Sequence, residues 1–135
     1  MDNAVKAPRP LLSVLQVRTP DRISHSLLTM LNGLAEIQVV YCAGDAERAW
    51  ETLTAYRPEV MLVDWDLPAA GAAALISRAR QAFADLQCVA IVGGQAEQRA
   101  ARQAGAQAAL LRGFTLDEFA AVLRICAPAP DGRRP

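Results

Sequence analysis

Lysine is almost absent from this 135-residue chain: Arg supplies all but one of the 14 basic residues, and Lys6 is the exception. The 14 acidic residues balance them, so the formal net charge is zero. A chain this balanced has no whole-molecule attraction for phosphate backbones or anionic lipid, which argues against nucleic acid and membrane as partners. His25 is the only histidine, so a zinc site built on several imidazoles is excluded. Cys42, Cys88 and Cys126 are odd in number, widely spaced and without a CxxC pair. The expectation is buried, reduced thiols in a cytosolic protein. Aromatics make up only 5%, so Ala, Leu and Val must build the core. No apolar run approaches the ~20 residues that span a bilayer. The first ten residues, MDNAVKAPRP, lack the apolar stretch of a secretory signal. No GxxxxGK[ST] phosphate loop occurs, Gly93-Gly94 is too short for a GxGxxG fingerprint, and nothing near His25 resembles a nucleophile elbow.

What is present is a regular alternation. Residues 1–10 read as a loose arm. LLSVLQV (Leu11 to Val17) is a short, nearly continuous apolar run, suited to a strand buried on both faces. Thr19 or Asp21 can cap a helix in which Ile23, Leu27, Met30, Leu31 and Leu34 recur at helical spacing, with Gly33 as the stop. IQVVYCA (37–43), VMLVD (60–64), CVAIV (88–92) and AALL (108–111) read as further strands. Between them, Asp45 opens a helix carrying Ala46, Ala49, Trp50 and Leu53, residues 72–84 form another, and residues 95–103 a third stopped by Gly105. Thr115 caps the last helix, in which Leu116, Phe119, Val122, Leu123 and Cys126 are expected to face inward. The tail 128–135 reads as a linker or free end.

Five strands alternating with five helices predict an α/β domain over 11–127: a doubly wound, five-stranded parallel (βα)5 sheet of flavodoxin-like type. In such sheets chemistry gathers at the C-terminal ends of the strands. That singles out Arg18, Thr19, Asp64, Gly93, Gly94 and Arg112. Asp64 is the residue to explain, because it ends the most apolar strand of the set and is followed by Trp65, Asp66, Leu67 and Pro68.

At these residues the chain resembles the receiver domains of two-component response regulators. PEVMLVDWDLP (58–68) looks like the family's third strand and phosphoacceptor turn. QAGAQAALLRGFTLDEFAAVL (103–123) looks like its closing segment, closest to receivers attached to LuxR-type DNA-binding domains. VLQVRTPDRISHSL (14–27) matches the opening strand and first helix without a gap. The resemblance implies a phosphoacceptor at Asp64 that takes a phosphoryl group from a histidine kinase. It also implies magnesium held by two acids after the first strand and by the aspartate. A Ser or Thr after the fourth strand and a Lys after the fifth would stabilise the phosphoryl oxygens.

Residue by residue, the chain keeps the aspartate and departs at the other positions. The acidic pair falls on Arg18 and Thr19, with Asp21 the nearest acid. The hydroxyl position falls on Gly93, the Lys position on Arg112, the switch aromatic on Ala109, and the Asp/Asn-Gly after the Pro on Gly71-Ala72. A family-like site needs a dication to offset three carboxylates. Here Arg18 and Arg112 contribute two positive charges against Asp64. A guanidinium at Arg18 would repel magnesium and could pair with Asp64 in place of a metal, worth about 4 kcal/mol at ~4 Å and an effective dielectric of ~20 before desolvation is subtracted. Asp66 is a competing partner for Arg18.

Three functions fit. The first is an atypical receiver that acts as a phosphorylation-independent protein-interaction or dimerisation module, without enzymatic activity and without a cofactor. The second is a working phosphoacceptor, which would need magnesium. The third is a small-molecule sensor using space beside Trp65 vacated at Gly93, Gly94 and Ala109. The implied partner is a protein, either a histidine kinase or an output protein, with a homodimer also admitted. Glu97, Arg99 and Arg102 read as a solvated helix face.

Overall fold

The computed structural model describes residues 12–18, 37–68 and 71–126, the last three by backbone alone. Five strands form one parallel sheet: β1 (Leu12–Val17), β2 (Ile37–Ala43), β3 (Val60–Asp64), β4 (Gln87–Val92) and β5 (Ala108–Leu111), in the order β2-β1-β3-β4-β5. Four helices are described: α1 (Ala46–Tyr56), α2 (Gly71–Ala82), α3 (Gln95–Ala104) and α4 (Leu116–Cys126). This is the flavodoxin-like α/β architecture that the alternation predicts. The helix expected over residues 21–33, the N-terminal arm and the tail lie outside the described residues.

Local chemistry sets the ends of the elements. Asp45 caps α1 by accepting from the Arg48 N–H at 2.8 Å. Arg57 closes that helix in the left-handed region at φ 51°, its N–H donating to the Leu53 carbonyl. Thr115 and Glu118 form a reciprocal capping box on α4: Thr115 Oγ1 accepts from the Glu118 N–H at 3.1 Å, and Glu118 Oε1 accepts from the Thr115 N–H at 2.8 Å.

Alternation along the strands divides the core in two. On one face Leu15, Val17, Met61, Val63, Cys88 and Ala90 meet Ala49 and Leu53 of α1, Leu75, Ile76 and Ala79 of α2, and Ala101 of α3. On the other, Leu12, Val14, Val60, Leu62, Val89, Ile91 and Leu110 meet Phe119 and Leu123 of α4. β3 is buried at every residue because helices cover both its faces and strands flank both its edges.

Two expectations about burial are corrected. Leu116 is 45% exposed instead of facing inward, because it starts α4 beyond the edge of the sheet. Cys42 is exposed, whereas Cys88 is buried as expected. Cys42 lies near the C-terminal end of an edge strand, where one side has no neighbour to cover it.

Phe119 is the largest fully buried side chain. Phe119→Ala is expected to lower unfolding free energy by about 3–5 kcal/mol. Leu116→Ala is expected to stay within about 0.5 kcal/mol of the parent, as for surface positions generally. Urea titration of both variants checks the assignment of inward and outward faces on α4.

Candidate functional site

The parallel sheet delivers three charged side chains to its C-terminal edge. Arg18 follows β1, Asp64 ends β3, and Arg112 follows β5. Backbone bonds fix each of them. The Arg18 N–H donates to the Ala43 carbonyl at 3.1 Å, and the Arg112 N–H to the Val92 carbonyl at 2.9 Å. The Trp65 N–H donates to the Ile91 carbonyl at 2.9 Å, which extends the β3–β4 ladder one step past Asp64.

The Asp64 side chain is 2% exposed. Its Oδ2 accepts from Arg18 Nε at 3.3 Å, and its Oδ1 accepts from Arg112 Nη2. The Asp66 N–H also donates to Oδ1, at 3.1 Å, closing an Asx turn over the loop. Arg112 Nη2 reaches Asp66 Oδ2 at 3.0 Å. Arg112 is thus a partner of Asp66 as well as of Asp64. The four side chains Arg18, Asp64, Asp66 and Arg112 carry two positive and two negative formal charges, which cancel.

Burial alone would raise the Asp64 pKa. The Asp66 N–H, the Arg112 hydrogen bond and the two positive charges outweigh it, and the carboxyl is held below its ordinary value. Burial likewise works to lower the Arg112 pKa, but Asp64, then Asp66 and Glu97, raise it further, so the guanidinium stays charged.

Gly93 completes the arrangement. A Cβ built there would lie 3.0 Å from Arg112 Nη1 and 3.4 Å from Glu97 Oε1. The space a side chain would need is already filled by the guanidinium, which reaches across the end of β4 to Asp64. The Gly93 N–H donates to Glu97 Oε1 at 2.6 Å. Glu97, read from sequence as part of a solvated face, is thus a member of the cluster. Its signal was its place in the first turn of α3, four residues after Gly93, where a carboxylate can reach back to a free backbone N–H. Ala109 is half-buried against the core, outside the ion cluster, and Thr19 lies outside the described residues.

Magnesium does not fit these residues. Among the described residues no group of three or more Asp, Glu, His or Cys side chains is placed to hold a metal ion. Both Asp64 oxygens are engaged by guanidiniums, and a dication beside Arg18 and Arg112 would meet two like charges.

No protein-family model matches the sequence, and no curated protein matches it. Solved structures do. A protein assigned as a response regulator from Chloroflexus aurantiacus is 25% identical with a TM-score of 0.75, the match covering 86% of this chain and 98% of that one. The signal receiver domain of the response regulator NarL from Mycobacterium tuberculosis is 24% identical with a TM-score of 0.76, covering 87% and 97%. A LuxR-family two-component response regulator from Aurantimonas sp. SI85-9A1 is 20% identical with a TM-score of 0.76, covering 90% and 92%. The chain has the fold of these receiver domains.

Two predictions follow from the geometry. Asp64→Asn takes the counter-charge from Arg18 and leaves Arg112 with Asp66, and is expected to cost about 3 kcal/mol at neutral pH, the low end of the range for breaking a buried pair. Because the folded-state pKa is depressed, this contribution is complete above the unfolded value of about 3.9 and is lost as pH falls through the lower folded value. Urea unfolding of parent and variant should show the gap narrowing below about pH 4.

The second concerns Gly93 and Arg112, which share one space. Gly93→Ser makes the Arg112 guanidinium give by a few tenths of an ångström, and Arg112→Lys loses the Nη2 that holds both Asp64 and Asp66. The double variant Gly93→Ser/Arg112→Lys makes room for the added side chain. Its destabilisation should fall short of the sum of the singles by about 1 kcal/mol. A double-mutant cycle in urea measures this directly.

Proposed function

We propose that this chain is an atypical receiver that signals through protein–protein contact and does not depend on phosphoryl transfer at Asp64. One observation carries the reading: both carboxylate oxygens of Asp64 are engaged by guanidiniums from neighbouring strand ends. A nucleophilic carboxylate needs a free oxygen facing the incoming phosphorus, and phosphoryl transfer depends on charge stabilisation that a magnesium ion largely supplies. Arg18 stands where that metal would be held and supplies a fixed positive charge in its place. The module has no catalytic role and no cofactor of its own. Its partner is a protein, either a sensor kinase or an output protein.

The working-phosphoacceptor reading is supported by Asp64 itself, which stays ionised at the C-terminal edge of β3. The small-molecule reading needs room beside Trp65 at Gly93, Gly94 and Ala109; the Arg112 guanidinium against Gly93 weighs against it there, while the space beside Gly94 is open.

Trp65 adjoins Asp64 and is half-buried, which makes it a reporter. In a Trp50→Phe background, millimolar magnesium followed by beryllofluoride, a phosphoryl mimic, is expected to leave Trp65 fluorescence unchanged. Intact mass after treatment with acetyl phosphate and magnesium is expected to show no adduct. A saturable fluorescence response or a phosphoryl adduct, either one lost in Asp64→Asn, would establish the relay reading instead.

A further inference from the structure

Helices α1 and α2 pack side by side on one face of the sheet, and the groove between them is open. The α1 wall presents Ala46, Trp50 and Glu51, and the α2 wall presents Gly71, Ala74 and Arg78. Glu51, Ala74 and Arg78 are exposed, and Trp50 is half-buried. The Arg78 guanidinium sits over the Trp50 ring, 3.7 Å from its centre. That contact positions the cation and consumes none of its N–H donors. Among the described residues, neither Arg78 nor Glu51 has an ion-pair partner.

We infer that this groove is a self-association face. Two copies of the chain pack α1–α2 against α1–α2 about a two-fold axis parallel to the helices, and Glu51 of each protomer pairs with Arg78 of the other. Charge selects this occupant. One wall carries an acid and the other a base, so a purely basic partner meets Arg78 and a purely acidic one meets Glu51. A two-fold axis between the walls exchanges them and sets each charge against its opposite, as an isologous interface requires.

The heights agree. A Cβ built at Gly71 would lie 3.9 Å from that of Ala46, so the two helices start level. At 1.5 Å per residue, Glu51 stands about 7.5 Å along α1 and Arg78 about 10.5 Å along α2, a difference of about 3 Å that either side chain can span. Gly71 and Ala74 keep the α2 wall low, so a helix can approach, and Trp50 supplies the apolar centre. Glu47, one turn nearer the start of α1, stays at the rim, where the positive end of that helix offsets it. The inference does not rest on the chemistry of Asp64, since a working phosphoacceptor would carry the same face.

Sedimentation velocity of the full chain over a range of micromolar concentrations tests it. The parent is expected to reach twice the 14.5 kDa chain mass. Arg78→Glu and Glu51→Arg are each expected to raise the dissociation constant about tenfold or more, because each sets like charges together at both contacts. An equimolar mixture of the two variants is expected to recover a dimer, because every contact in the mixed pair is again one acid against one base. A pairing within one chain gains nothing from mixing, so recovery reports contact between chains. Circular dichroism checks that each variant folds. Should Arg78→Glu fail to fold without its stack on Trp50, Ala74→Glu takes its place in the same scheme. A parent that stays monomeric, a folded single variant that dimerises as well as the parent, or a mixture that stays monomeric would each overturn the inference.

Discussion

A carboxylate sealed from water must find positive charge within reach or give up its own. Asp64 keeps its charge because Arg18 and Arg112 arrive from either side. The arrangement is possible only in a parallel sheet, where β1, β3 and β5 all end at the same edge. It also rests on strand order: β1 is the direct neighbour of β3, while β5 stands one strand further away, beyond β4. Arg18 therefore needs only to lean across, whereas Arg112 must span an intervening strand. That difference explains why a long, forked side chain stands at 112, and why the end of β4 carries no side chain under it.

The same arrangement separates scaffold from chemistry. The two apolar layers either side of the sheet are complete among the described elements, and α4 is anchored by Phe119 and Leu123. At the C-terminal edge, Asp64 is shared by two cations, Arg112 also holds Asp66, and the Gly93 N–H is taken by Glu97. Groups satisfied within the molecule have little affinity left for a small charged ligand, because each must first be released from a partner it already has.

Much of this was legible in the sequence, and the rest failed for identifiable reasons. Strand positions were readable because buried parallel strands are short apolar runs, and 37–43, 60–64 and 108–111 coincide with β2, β3 and β5. The residues at strand ends followed from topology alone, which is why Arg18, Asp64, Gly93 and Arg112 could be grouped before any coordinates. Pairing within the group was not readable. Asp66 could serve either arginine, and its contact with Arg112 depends on that side chain's reach across β4. Glu97 was overlooked because a charged residue among Arg and Gln on a helix looks solvated, and its bond to Gly93 depends on the loop geometry. Leu116 and Cys42 were misjudged for one shared reason: apolar residues at the rim of a sheet have no layer above them, and composition carries no information about rims.

The shared space at Gly93 has a consequence for how this protein can change. A side chain at position 93 and the guanidinium at position 112 contest one space, so a substitution at either position costs less once the other has changed. The cost of each residue therefore depends on which residue stands at the other.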